Sequence, residues 1–269
     1  MISLGLDYTP NHFPASSLRD GRTKIIASRQ APTKCVVFVH GFSGDALETW
    51  TGFDGRALKF AEFEKTDLIF FGYDGLRSNA LASASFLFDL LDELLTNPSS
   101  LLSAVRGGSA PYSRCVVVAH SLGAVVSRWA LLRAHDSNCS WLTNIRYLLF
   151  APAHCGGIIV DSISELLTAH SITKALGDVA KVRFPLLNEL AADSVMLKTL
   201  EKRTRKAVRS GCTALIPQRV VIAEYEDIVN NLPFLDDPHP TAVRDARHTS
   251  ICKPTQFFTS VKFVTELLR

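Results

Sequence analysis

The sequence predicts an α/β fold: a mostly parallel central sheet with helices on both faces. Short runs of β-branched and aromatic residues recur along the chain, and segments with helical spacing of apolar residues separate them. This alternation is typical of βαβ units, in which each helix crosses back over the sheet. The chain has 269 residues, 47% of them hydrophobic, which is enough for one sizeable core. We therefore expect a single domain over 1–269.

The expected strands are short and apolar. They cover 24–28, 35–39, 67–71, 115–118, 145–150 and 219–223. Between them, helices are expected at 47–63, despite Gly52 and Gly55, at 82–95, and after Gly123. Asn97 and Pro98 should end the helix over 82–95, and a last helix should close the chain at about 255–268.

Residues 157–212 interrupt this alternation, because they hold no strand candidate and are mostly helical in pattern. Helices are expected at about 160–170, 172–181 and 186–208. An insertion at this point of the sheet predicts a helical cap over the site. The last helix has a basic end, for which a solvated face is the expected role and contact with an anionic membrane surface the alternative.

Composition excludes several classes of function. A net charge of +3 is too small to indicate a nucleic-acid partner. The six cysteines show no metal-ligand spacing, so we expect free thiols, no bound metal and no cofactor. We also expect a cytoplasmic protein, since no apolar run is long enough for a membrane span and no secretory leader is visible.

The most informative stretch lies in the middle of the chain. Cys115 to Val118 predict a buried strand, helical spacing begins after Gly123, and Ser121 lies at the turn between them. A serine on a sharp strand-to-helix turn with small residues two positions away, here Ala119 and Gly123, indicates the nucleophile elbow of a serine hydrolase. The alternative is that Ser121 only caps the helix.

A second turn, upstream of the elbow, has the features of an oxyanion hole. His40 and Gly41 directly follow the strand at 35–39, and Gly41 allows the backbone to approach a ligand closely. The N–H groups of Phe42 and Leu122 are the expected donors to a developing oxyanion. His40 and His120 flank this position and should shape the substrate-binding pocket, with Gly41, through hydrogen bonds.

The other two members of a catalytic triad are expected late in the chain. His248 lies between the last sheet region and the final helix, where the general base of such folds is found. Asp227 follows the strand at 219–223 and is the favoured acid, with Glu226 and Asp237 as alternatives. The order Ser121, Asp227, His248 agrees with the hydrolase order.

Five motifs together resemble the α/β-hydrolases, in particular lipase-like serine esterases related to GPI inositol-deacylases and to serine esterases of bacteria and plants. They are VVFVHGFSGD (36–45), FFGYD (70–74), VVVAHSLGAVVSR (116–128), LLFAPAHCGG (148–157) and HTSICKP (248–254). The resemblance implies that His154 lines the acyl pocket. It also implies a small-molecule ester or lipid as substrate.

The sequence leaves three readings of the function open. Hydrolysis of carboxylic esters through an acyl-enzyme on Ser121 is the favoured one. A thioesterase or phospholipase would use the same triad, and a ligand-binding module on this fold would use none. Acyl chain length and oligomeric state are not predicted.

Overall fold

Eight strands form one sheet in the computed structural model, which describes residues 11–42, 44–75, 78–155, 194–230, 232–254 and 259–269. The strands are β1 (Ser16–Ser17), β2 (Lys24–Ile26), β3 (Lys34–Val39), β4 (Thr66–Phe71), β5 (Arg114–His120), β6 (Ile145–Phe150), β7 (Arg219–Tyr225) and β8 (Thr241–Arg247). Their order across the sheet is β1-β2-β4-β3-β5-β6-β7-β8.

All pairings from β4 through β8 are parallel, whereas β1 and β2 extend the sheet at one edge as antiparallel strands. The central strands are buried along nearly their whole length, as expected for a parallel sheet covered on both faces. The expected mostly parallel sheet is therefore confirmed. The strands β1 and β8 were not predicted, because their sequences, SS and TAVRDAR, contain no apolar run.

Five α-helices accompany the sheet in the described ranges. They are α1 (Ala80–Thr96), α2 (Pro98–Leu102), α3 (Leu122–Asp136), α4 (Val195–Arg209) and α5 (Thr259–Leu268). The expected break after α1 is confirmed, since Asn97 is its C-cap and Pro98 begins α2. In this part of the chain no helix is long and apolar enough to cross a membrane.

Helices cover both faces of the sheet. The Tyr147 hydroxyl lies 2.6 Å from the Ser127 hydroxyl of α3, and the Phe150 ring lies 6.4 Å from the Phe263 ring of α5. Tyr147 and Phe150 are three residues apart on β6, so they face opposite sides of the sheet. Helices α3 and α5 therefore occupy opposite layers, with α1 and α4 packed beside α3.

The expected helix over 47–63 is wrong. The structure instead has three short 3-10 turns there, Glu48–Trp50, Arg56–Lys59 and Ala61–Phe63. Gly52 has a φ of 103°, which ends any regular helix at that point. Trp50, Phe53 and Phe63 are fully buried, so burial of these aromatic side chains, not helical periodicity, determines the local path of the chain.

The expected cap over 157–212 is only partly within the described residues. Helix α4 corresponds to the second half of the helix expected at 186–208. The helices expected at 160–170 and 172–181, and the first part of 186–208, lie outside the described residues. The cap therefore stays a prediction.

The parallel strands bring six chain segments to the same edge of the sheet, because their carboxyl ends all meet there. The polar residues that end these strands, or follow their ends within a few positions, are His40, Tyr73, His120 with Ser121, His154, Glu226 and His248. Every polar residue at this edge is thus a candidate for one common site.

Candidate active site

Ser121 occupies a strained turn between β5 and α3. Its backbone angles are φ 53° and ψ −121°, a region that costs a non-glycine residue about 1–3 kcal/mol. Backbone hydrogen bonds hold it there: its N–H donates to Phe150 O at 3.0 Å and its carbonyl accepts from Ala153 N at 3.3 Å. The Ser121 side chain makes no capping hydrogen bond to α3, which argues against a capping role.

Two glycines allow the chain to pack closely around this turn. A Cβ at Gly123 would lie 2.3 Å from Val39 O, so only glycine lets α3 start against the end of β3. A Cβ at Gly41 would lie 2.9 Å from Ser121 Cβ. The segment after β3 therefore passes directly beside Ser121, as the expected oxyanion hole requires.

The two expected oxyanion donors follow from this packing. Phe42 is the next residue after Gly41 and is half-buried, and Leu122 is the first residue of α3. The first N–H groups of a helix have no partner within the helix, and its N-terminal end carries a partial positive charge. Both segments lie at Ser121, and their role as donors stays a prediction.

The Glu226 carboxylate accepts a hydrogen bond from the His248 ring. The distance from His248 Nδ1 to Glu226 Oε1 is 2.8 Å, and their side chains are only 6% and 1% exposed. The same oxygen accepts the backbone N–H groups of Ile228 at 3.1 Å and Val229 at 3.2 Å. A carboxylate can only accept, so Nδ1 carries the proton and Nε2 is left as the basic nitrogen.

An irregularity between β7 and β8 sets the register of this pair. Ala223 pairs with Val243, but Tyr225 pairs with Arg247, so β8 contains two extra residues between these pairings. Asp245 adopts φ 56° in the bulge, and its N–H donates to Glu224 Oε2 at 2.9 Å. The shifted register continues past Tyr225 and places residue 248 beside residue 226.

The expectation that Asp227 is the partner of His248 is therefore corrected in favour of Glu226, one of the two alternatives. Asp227 is exposed, whereas the Glu226 side chain is 1% exposed and holds the His248 ring. The second alternative, Asp237, binds Arg128 instead, with Oδ2 at 2.6 Å from Nη2 and Oδ1 at 3.2 Å from Nη1.

His120 connects the nucleophile turn to the segment that carries the base. Its Nε2–H donates to His248 O at 2.9 Å, and the two rings lie 4.7 Å apart. Burial, followed by the nearby His248, holds the pKa of His120 well below its usual range, so the ring is neutral. Since His120 precedes Ser121, this contact brings the segment of His248 next to the elbow, and a hydrogen bond from the Ser121 hydroxyl to His248 Nε2 stays a prediction.

His40 is fixed on the other side of the elbow. Its ring stacks on Tyr73 at 4.2 Å, its Nδ1 contacts Gly41 O at 2.9 Å, and the Tyr73 hydroxyl donates to His40 O at 2.7 Å. Burial lowers the pKa of His40. Both histidines are thus held by hydrogen bonds beside the elbow, and their role in shaping the substrate-binding pocket stays a prediction.

We expect the free energy of unfolding to decrease as the pH is lowered below 6.5, the ordinary pKa of histidine. The reason is that burial lowers the pKa of His40 and His120 in the folded protein. The unfolded chain then binds protons that the folded chain does not, which costs up to about 1.4 kcal/mol per pH unit for each histidine. Denaturant unfolding of His120→Gln, which keeps a donor for His248 O, should show a shallower decline between pH 6.5 and 5. Equal slopes for both proteins would contradict the neutral state assigned to His120.

One group of site residues was missed by the sequence interpretation. Arg128 is fully buried on α3, donates to Leu215 O at 2.9 Å and to Asp237, and places its Nε 3.3 Å from His154 Nε2. Burial, then the Arg128 charge, keeps the pKa of His154 well below its usual range. An arginine among the apolar residues of the elbow helix was the available signal, since a buried arginine requires a carboxylate partner.

His154 lines a cavity of about 230 Å³ between the end of β6, the start of α4 and the loop at 233–235. The residue before His154, Ala153, is hydrogen-bonded to the Ser121 carbonyl, so this cavity is next to the elbow. The acyl-pocket role of His154 stays a prediction. A larger cavity of about 440 Å³ lies between β4 and α1, and Tyr73, which packs on His40, is among its lining residues. Over the described ranges, no group of three or more His, Cys, Asp or Glu side chains could hold a metal ion.

Comparison with solved structures identifies the fold. Lipase BlEst2 of Bacillus licheniformis, in its mature form, matches with a TM-score of 0.57 at 14% identity, covering 89% of this chain and 94% of that chain. The peroxisomal α/β-hydrolase Lpx1 of Saccharomyces cerevisiae matches with a TM-score of 0.56 at 10% identity, covering 97% and 86%. Phospholipase PlaB of Legionella pneumophila matches with a TM-score of 0.59 at 14% identity, covering 89% of this chain but 60% of that one.

The chain therefore has the α/β-hydrolase fold, as the sequence motifs implied. At these identities the likeness shows the fold alone. No protein-family model matches the sequence, and neither does any curated protein. The narrower resemblance to GPI inositol-deacylases is not supported by these comparisons.

Proposed function

We propose that the protein is a serine hydrolase that cleaves carboxylic esters with Ser121 as nucleophile, His248 as general base and Glu226 as the acid that orients it. The observation that carries this proposal is the 2.8 Å hydrogen bond between the buried side chains of Glu226 and His248. The His248 ring lies 4.7 Å from the ring of His120, which directly precedes strained Ser121. Strain at a serine and a desolvated carboxylate–histidine pair are both found most often at catalytic sites, and here they lie next to each other.

The chemistry proceeds in two halves. His248 Nε2 takes the proton of the Ser121 hydroxyl as the oxygen attacks the ester carbonyl, and the backbone N–H groups of Phe42 and Leu122 stabilise the oxyanion. The same nitrogen then protonates the leaving alcohol, which leaves an acyl group on Ser121. Water, deprotonated by His248, attacks this acyl group, and the imidazolium returns the proton to the departing Ser121 oxygen as the carboxylic acid is released.

Glu226 acts on the imidazole and not on the substrate. Its charge stabilises the imidazolium that forms in each half-reaction, and its hydrogen bond keeps the proton on Nδ1. A lipase and a phospholipase among the structural neighbours support an acyl ester as substrate. The six free thiols fit a reducing compartment, for which we propose the cytoplasm.

A fluorophosphonate probe tests whether the site is catalytic at all. We expect the probe to label the wild-type protein at Ser121 and to leave Ser121→Ala unlabelled, because only an activated serine reacts. p-Nitrophenyl esters of increasing chain length, set against acyl-CoA and phospholipid, then identify the substrate class. A protein that neither reacts with the probe nor hydrolyses any of these substrates would be a ligand-binding module instead.

A further inference from the structure

Helix α4 concentrates the positive charge of the molecule. Its 15 residues include six basic side chains and one acid, Glu201, for a net charge of +5, whereas the whole chain carries +3. The remainder of the chain is therefore net negative, by two charges. Such a separation orients a protein in an electric field, because one side is attracted to an anionic surface while the rest is repelled.

The basic residues are sorted onto the side of α4 that faces away from the core. Leu197, Leu200, Thr204 and Ala207 are buried and define the inward side. At about 100° per residue, five exposed basic residues fall within an arc of about 100° opposite to them. This basic face consists of Lys198, Lys202, Arg205, Lys206 and Arg209.

Within the described residues, three cations of the basic face have no acidic partner. Glu201 lies at its border and pairs with Arg205 at 2.6 Å, and Asp136 pairs with Arg203, which is on the flank of the helix. Across the ranges that the structure describes, no carboxylate forms an ion pair with Lys202, Lys206 or Arg209. These three cations are thus available to an external anionic partner.

Two exposed apolar side chains lie at the start of α4 and in the loop that contributes to the cavity beside His154. Val195, at the start of α4, is 82% exposed, and Leu232 is 66% exposed. Both are near the cavity beside His154: Leu197 and Pro233 line that cavity, and Cys155 Sγ lies 3.5 Å from Leu232 O. A surface that has both basic and exposed aliphatic side chains is complementary to a lipid bilayer, in which phosphate groups lie outside and acyl chains lie beneath.

We propose that the basic face docks the protein onto a membrane surface that contains anionic phospholipids. Lys202, Lys206 and Arg209 bind the headgroups electrostatically, and Val195 with Leu232 contacts the upper acyl region. From the sequence, we expected the basic end of this helix to be a solvated face. We now favour the membrane alternative, because the charge is separated and aliphatic residues are exposed nearby. Docking does not depend on the proposed ester hydrolysis, so the two are measured separately.

Sedimentation with lipid vesicles tests the proposal, using the full chain with Ser121→Ala so that no lipid is hydrolysed. We expect binding to phosphatidylcholine vesicles that contain phosphatidylserine, weaker binding as salt increases, and no binding to pure phosphatidylcholine. One lysine near an anionic leaflet is worth about fivefold in affinity, so Lys202→Gln with Lys206→Gln should weaken binding about 25-fold.

The matched control removes the same charge elsewhere. Lys65 and Lys262 are exposed lysines on other parts of the surface, and Lys65→Gln with Lys262→Gln should leave vesicle binding nearly unchanged. Equal losses for the two double variants would show a net-charge effect and overturn the docking face. Equal binding to neutral and anionic vesicles, or retention on heparin with no vesicle binding, would also overturn it. Turnover of a soluble ester by the Ser121-containing forms should be the same in all of these variants.

Discussion

Ser121→Ala is expected to lower kcat for a soluble ester by about 10⁴–10⁶ while leaving the fold intact. The Ser121 hydroxyl supplies the attacking oxygen, so without it no acyl-enzyme can form. A water molecule is not held in the same position and cannot take over the attack. The backbone of residue 121 is held by Phe150 O and Ala153 N, contacts that alanine keeps. Steady-state kinetics with a p-nitrophenyl ester and thermal unfolding of the same preparation measure both parts of this expectation.

Ser127→Ala is the matched control for this experiment. Ser127 lies on the same helix and is fully buried, with its hydroxyl hydrogen-bonded to Tyr147 and to Ala124 O. Its loss should cost about 1 kcal/mol of stability and leave kcat close to wild type. Turnover by Ser121→Ala at the wild-type rate would eliminate Ser121 as the nucleophile.

The parts of the site that depend on local sequence could be predicted. His248 was placed only by its position in the chain, between the last sheet region and the final helix. The elbow at Ser121 and the turn at His40 and Gly41 each follow an apolar strand that ends at a small or polar residue. A parallel sheet brings such ends to one edge, so recognising the strands was sufficient to place these segments together. The small residue expected at position 123 is confirmed by its close approach to Val39, whereas the approach of Gly41 to a ligand stays a prediction.

The parts that depend on register and on distant partners could not be predicted. The bulge between β7 and β8 adds two residues to one strand, and neither strand β8 nor the positive φ of Asp245 has a clear signal in the sequence. Without that register, Glu226 and Asp227 are equally plausible partners of His248. Likewise, Arg128 and Asp237 are 109 positions apart, and only the folded chain shows that they bind each other.

Glu226→Gln should lower kcat by about 10⁴, whereas Asp227→Asn should retain nearly wild-type turnover. The neutral amide of the variant side chain cannot stabilise the imidazolium of His248. The amide oxygen and nitrogen must also occupy the Oε1 and Oε2 positions of Glu226, which have very different surroundings. Oε1 receives three N–H groups, from His248, Ile228 and Val229, while Oε2 is buried and has no hydrogen-bond partner in the described part of the chain. The amide oxygen therefore takes the Oε1 position and leaves the NH₂ group buried without an acceptor.

The Glu226→Asp variant distinguishes the contribution of the carboxylate charge from that of its position relative to His248. Aspartate keeps the charge but is one methylene shorter, so its carboxylate cannot reach His248 and the Ile228 and Val229 N–H groups together. A displacement of this size at a catalytic group costs about 10² in rate, which places Glu226→Asp between wild type and Glu226→Gln. The reverse outcome, a large loss in Asp227→Asn with Glu226→Gln active, would mean that His248 pairs with Asp227 during turnover. It would also show that the bulge at Asp245 does not set the register of the working enzyme.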